Sequence, residues 1–149
     1  MYLLAVSTDQ LLVFLVIAIV FAGLKKWLTG PQVLFILSIA VFAWTLGYFI
    51  KTFFYLPRPY LASGQTPLVG NLLDGSFPSN HALFTLSLAF ATYLFHKRLG
   101  IFTFILAVLV SFGRIFAHVH SLPDVLGAAF LAATIVAVGH KYLYPQLRG

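Results

Sequence analysis

The chain has no cysteine, no glutamate and only three acidic residues, Asp9, Asp74 and Asp124. Without cysteine there are no disulfides, thiolate nucleophiles or thiolate-held metals. Charged residues make up 8% of the 149-residue sequence, where a soluble domain carries roughly 25%. So few charges cannot cover a water-facing surface, and the chain reads as an integral membrane protein. There is no internal repeat, no low-complexity tract and no run of basic residues. The net charge of +6 is spread over segment ends, which excludes nucleic acid as a partner and points to anionic lipid headgroups or an anionic substrate. The N-terminus lacks the positive region and small-residue cleavage site of a secretory signal, so the first apolar segment is expected to stay as an anchor.

Apolar length is abundant: 61% of the residues are hydrophobic. Five segments are expected to form helices, at residues 8–24, 31–50, 79–95, 99–113 and 123–144. A spanning helix needs about 20 apolar residues, within a range of roughly 17–25. The expected fold is therefore all-α, a polytopic transmembrane helical bundle with five spans, forming a single domain over residues 1–149. Residues 51–78 form the one long connection, broken by Pro57, Pro59, Gly64, Pro67, Gly70, Gly75 and Pro78. With five spans, Lys25, Lys26, Lys97, Arg98, Lys141 and Arg148 share one side, and Lys51, Arg58 and Arg114 the other. The positive-inside rule makes the first side cytoplasmic, so the 51–78 loop faces outward from the cytoplasmic membrane. His96 and His140 fall at the cytoplasmic ends and read as interfacial.

Three outward stretches hold the chemistry. Lys51 and Arg58 are seven apart, with Arg58 between two prolines that make continuous helix through it unfavourable. Pro78-Ser79-Asn80-His81 opens an apolar run, where Ser79 or Asn80 can cap a helix whose free N–H groups also suit an anion. Arg114, His118, His120 and Asp124 form the third. Three cations on one side call for an anion, and phosphate matches the guanidinium fork. For Lys51, a snorkelling interface anchor is the bland alternative. Ser121-x-x-Asp124 is a capping box, while Asp124 can also accept the Nδ1–H of His120. That would fix the tautomer and leave Nε2 free to attack phosphorus. His81 suits a proton donor. His118 lies further from Asp124 than His120 does and is the weaker nucleophile candidate. Metal binding by His118, His120, Asp124, Asp74 or His81 is a loose pattern that neighbouring cations would oppose.

Taken together, these stretches resemble the type 2 phosphatidic acid phosphatase (PAP2) superfamily of membrane lipid phosphatases. Its pattern is Lys-x6-Arg-Pro, then Pro-Ser-Gly-His, then Ser-Arg-x5-His-x3-Asp. Lys51, Arg58 and Pro59 fill the first motif, Pro78, Ser79 and His81 the second, and Arg114, His120 and Asp124 the third. The resemblance implies a PAP2/haloperoxidase-like helical core and a metal-independent, cofactor-free reaction through a phosphohistidine. His120 would be the nucleophile, Asp124 its orienting partner and His81 the acid. Lys51, Arg58, Arg114, Ser79 and the backbone beside it would hold the phosphoryl group, with Asn80 beside them. Asn80 stands where glycine is usual, and Gly113 where serine is usual. The Asn80 side chain is expected to narrow the phosphate pocket or donate to it. The motifs look like those of bacterial undecaprenyl-diphosphate phosphatases, so a lipid phosphate or diphosphate is the expected substrate and membrane lipids the surroundings. The alternatives are a phosphatidylglycerophosphate or phosphatidic acid phosphatase, and a membrane protein that binds a phosphorylated lipid without cleaving it. The family commonly has six spans, one more than counted here.

Overall fold

The computed structural model describes residues 8–64, 66–69 and 74–148. Its helices are α1 (Thr8–Leu24), α2 (Gly30–Phe53), α3 (Pro59–Ser63), α4 (Asn80–Phe95), α5 (Lys97–Phe116), α6 (Leu122–Tyr142) and α7 (Tyr144–Arg148), with no strand among the described residues. All five expected segments are helices. Their boundaries follow local chemistry. α2 starts after Thr29, whose backbone N–H donates to Gln32 Oε1 at 2.8 Å, with Pro31 in the first turn, where its missing N–H costs nothing. It stops at Phe53, before the backbone reaches Pro57-Arg58-Pro59 in extended form.

α4 is the axis of the bundle. It packs against α2, α5 and α6, and most of its side chains, from Asn80 to Thr92, are buried. At 16 residues it is about 24 Å long at 1.5 Å per residue, short of the roughly 30 Å hydrocarbon core. The helix need not match that thickness, because protein rather than lipid surrounds it and can satisfy its polar first turn. Ala43, Ala82, Ala89, Ala107, Ala128 and Ala132 form one buried seam among α2, α4, α5 and α6. Small side chains let helix backbones approach closely, which is how helices associate where lipid is as apolar as leucine. Leu15, Ile19, Phe35, Ile36, Leu88, Val136 and Tyr144 form a second, bulkier core.

The outer faces are apolar as well. Phe14, Ile17 and Phe21 on α1, Phe42 and Phe49 on α2, Ile101 and Ile105 on α5, and Leu126 and Phe130 on α6 are all exposed. Water would not tolerate such a surface, but lipid does. α2, α5 and α6 are each long and apolar enough to cross a membrane, and α1 is a shorter apolar helix of 17 residues. The chain is a polytopic helical membrane protein. Successive helices run in alternate directions, so the start of α1, the end of α2, the start of α4, the end of α5 and the start of α6 all belong to one end of the bundle. Every candidate site residue lies at that end.

Candidate active site

Arg58 sits at the N-cap of α3 with 2% of its surface exposed. It is held on all its nitrogens: Nε donates to the Asp74 carbonyl at 3.1 Å, Nη1 to the Val119 carbonyl at 2.8 Å, and Nη2 to Asp74 Oδ1 at 2.6 Å. Lys51, in the last turn of α2, donates to the Gly75 carbonyl at 2.6 Å and lies 3.6 Å from Asp74 Oδ2. One carboxylate therefore bridges two of the three expected phosphate-binding cations. Burial alone would raise the Asp74 pKa, but the Arg58 hydrogen bond and the Arg58 and Lys51 charges outweigh it and hold it below the usual carboxylate value. The anion these cations require is supplied by Asp74, whose carboxylate takes one N–H of Arg58 and faces Lys51.

Arg114 ends α5 with 5% of its surface exposed; its Nη1 lies 3.5 Å from Thr8 Oγ1, and its Nε is buried without a partner. After α5 the chain turns at His118, whose φ of 60° is left-handed, a conformation in which histidine is enriched among non-glycine residues. The His118 carbonyl accepts from Tyr60 N at 3.2 Å. The turn thus ties α3 to the segment carrying Val119 and His120, and His118 serves the backbone here.

His120 is 3% exposed. Its Nε2 lies 3.3 Å from Arg58 Nη1. Arginine has no acceptor, so the facing nitrogen must present its lone pair, which leaves the proton of a neutral ring on Nδ1. Burial chiefly lowers the His120 pKa to about 4; the nearby Asp124 carboxylate opposes this, and the Lys51, Arg58 and Arg114 charges add to it. The ring is neutral near pH 7. Nδ1 lies 3.7 Å from Asp124 Oδ2, beyond hydrogen-bond length, and has no other partner. Asp124 Oδ2 instead accepts from Ser121 N at 2.7 Å, Ser121 Oγ at 2.9 Å and Ser76 Oγ. The capping box forms, and the carboxylate that caps α6 also stands behind His120.

Ser79 precedes α4 and makes no side-chain cap bond; its hydroxyl is buried and unpaired. Its backbone N–H donates to the Asp124 carbonyl at 3.3 Å, joining the starts of α4 and α6. Asn80 departs from expectation. Its side chain turns to α2, with Nδ2 3.5 Å from the Trp44 carbonyl and Oδ1 where a Cβ on Gly47 would come within 2.6 Å. Gly47 makes room for an asparagine at a position where the motif has glycine, and the Asn80 side chain is spent on helix packing.

His81 packs its ring edge-on to Trp44, with centroids 5.3 Å apart. Its Nε2 lies 2.7 Å from Asp9 Oδ1 in the first turn of α1. That contact joins residues 72 apart. All three acids of the chain are therefore at this one end: Asp9 on His81, Asp74 on Arg58 and Lys51, Asp124 behind His120. Asp9, Ser76 and Thr8 were missed from sequence. The scarcity of acids was the available signal, since an acid in so apolar a chain needs a local reason. Among the described residues, no three His, Asp or Glu side chains converge to hold a metal ion.

The sequence profile of the PAP2 superfamily matches residues 10–148. The chain belongs to the PAP2 superfamily. As a PAP2 protein it is a phosphatase, as the motifs implied. The chain is 28% identical over 136 residues to the Bacillus subtilis (strain 168) protein named "Undecaprenyl-diphosphatase BcrC", covering 85% of this chain and 70% of that one. It is 32% identical over 124 residues to the Escherichia coli (strain K12) protein named "Putative undecaprenyl-diphosphatase YbjG", covering 75% and 59%. A shorter match, 39% over 64 residues, covers 43% of this chain and 32% of the Bacillus licheniformis "Bacitracin transport permease protein BcrC". No solved structure matches.

Proposed function

We propose that this PAP2 protein hydrolyses undecaprenyl diphosphate, or a closely similar polyprenyl diphosphate, to the monophosphate through a phosphohistidine on His120. The observation that carries the reading is the 3.3 Å approach of His120 Nε2 to Arg58 Nη1. It aims a lone pair into the cation cluster where a phosphoryl group would sit. Neutral imidazole at that place is a competent nucleophile. Lys51, Arg58 and Arg114 bind the phosphoryl oxygens, the substrate replacing Asp74 on the first two. The unpaired Ser79 hydroxyl and the backbone N–H groups at the start of α4, Asn80 included, complete the anion site.

In the first step the His120 Nε2–P bond forms as the bond to the leaving oxygen breaks. His81 gives that oxygen its proton, and Asp124 stabilises the imidazolium of the phosphohistidine. Water then attacks phosphorus, returns a proton to His81 and releases phosphate. No metal is required, so a chelator leaves turnover unchanged. The names of the BcrC and YbjG relatives support the choice of substrate. The site faces outward from the cytoplasmic membrane, where a carrier released as its diphosphate would be recovered, and residues 1–149 act as one domain. A cysteine introduced at position 63 (Ser63→Cys) is labelled from outside only.

The deciding experiment is turnover of undecaprenyl diphosphate, phosphatidylglycerophosphate and phosphatidic acid by wild type and His120→Ala. The expected result is preference for the polyprenyl diphosphate and loss of phosphate release in the variant, with acid-labile, base-stable ³²P on wild type alone. Wild-type rates in His120→Ala would refute the nucleophile. A strong preference for either glycerolipid would refute the substrate.

A further inference from the structure

Asp9 has no place in the three motifs, yet its carboxylate is hydrogen-bonded to the His81 ring. Its carboxylate lies 2.7 Å from Nε2, and its side chain is 73% exposed against 17% for His81. α1 also places Thr8 on Arg114 from the same turn, so the first turn of α1 reaches two site residues on two other helices. We propose that Asp9 is a positioning residue for His81: it fixes the ring through Nε2 and leaves Nδ1 as the nitrogen that gives its proton to the leaving oxygen. The Asp9 carboxylate opposes the burial and the Arg114 charge that disfavour a protonated His81. The proposal rests on the reading of His81 as the acid. An imidazole held by a carboxylate on one nitrogen acts through the other, and the Trp44 ring restrains it on a second side.

The proton balance is closed. In the first step the P–O bond to the leaving group breaks, and the Nδ1 proton of His81 passes to the departing oxygen. In the second, the attacking water returns one proton to Nδ1 as the N–P bond breaks. Asp9 stays ionised throughout. Such a device matters most for a leaving group that is a poor anion. An alkoxide leaving from a lipid monophosphate needs the proton; a nitrophenolate does not. A phosphate monoester leaving from a diphosphate lies between.

The experiment measures kcat and KM of wild type, Asp9→Asn, Asp9→Glu and His81→Gln on a lipid monophosphate and on p-nitrophenyl phosphate. General acid catalysis contributes about 10²- to 10⁴-fold. Asp9→Asn should lower kcat on the lipid monophosphate by roughly tenfold or more, with little change in KM and little loss on p-nitrophenyl phosphate. Asp9→Glu should restore part of it, and His81→Gln should show the same leaving-group dependence more strongly. Equal losses on both substrates in Asp9→Asn, or none, overturn the proposal while leaving His81 as the acid if His81→Gln keeps its dependence. If His81→Gln shows no dependence either, the acid assignment fails and the proposal with it. Because Asp9 is exposed and asparagine is isosteric, the variant should fold; thermal unfolding in detergent checks this, and Asp9→Glu carries the test should Asn unfold.

Discussion

Gly47 and Asn80 form a pair whose energetics can be worked from the structure. A Cβ on Gly47 would lie 2.6 Å from Asn80 Oδ1 and 2.8 Å from Leu83 Cδ2. Both neighbours are side-chain ends, but both residues are buried, which limits how far they can yield. Overpacking of this kind costs about 1–3 kcal/mol, and the helix-propensity gain of Gly→Ala returns roughly 0.5–1 kcal/mol. Gly47→Ala should therefore destabilise the protein, by up to about 2.5 kcal/mol, and, by displacing the first turn of α4, lower phosphate release. Asn80→Gly removes the tighter of the two contacts and leaves the Leu83 contact in place. The double variant should accordingly be more stable than the two single effects predict by about 1 kcal/mol, within the range seen for touching residues. Thermal unfolding in detergent, with turnover of undecaprenyl diphosphate beside it, measures the cycle. Additivity to within roughly 0.3–0.5 kcal/mol would refute the packing argument and return the Asn80 side chain to the phosphate pocket as its remaining role.

Two further outcomes follow from the turn between α5 and α6. At φ 60°, His118→Gly should leave unfolding unchanged or raise its midpoint, while His118→Val should cost roughly 1–2 kcal/mol; equal stability of the two variants would show that the turn is unstrained. His120, whose pKa burial chiefly lowers to about 4, should keep the NMR shifts of a neutral, Nδ1-protonated ring from pH 8 down to about pH 5. The unfolded chain takes up this proton first, near the ordinary histidine value of about 6.5, so this group's contribution to stability is lost as pH falls from there through the folded pKa. Half-protonation of His120 near 6.5 in the folded protein would contradict the burial argument.

Much of the fold was legible because the signal is one of length: an uncharged run of suitable length has few alternatives to a helix. The charged members of the site were legible for the converse reason. For Arg58 between prolines and Arg114 after an apolar run, the bland explanation of a headgroup anchor is weaker than it is for Lys51. What stayed hidden depends on contacts between distant residues. Asp9 looks like an ordinary acid in a first helical turn, and its partner His81 is 72 residues away. The orientation of Asn80 is decided by the missing side chain of Gly47, on another helix. Asp124 was read as cap or as histidine partner; its oxygen is bonded as a cap and stands 3.7 Å from the ring, so spacing alone could not separate the two duties. Asp74 was visible as an acid in the loop, but nothing local revealed that it spans Lys51 and Arg58.

The gathering of every aspartate at one end makes carboxyl chemistry a selective probe of this molecule. In most proteins a carbodiimide coupling reagent meets dozens of acidic side chains and reports an average. Here it meets Asp9, Asp74 and Asp124 and no other acidic side chain, with exposures of 73%, 44% and 6%. Coupling sites read by mass spectrometry, with and without a phosphate analogue, would show whether Asp74 is released from the cations as the analogue arrives. The lipid-facing remainder of the protein would contribute no background.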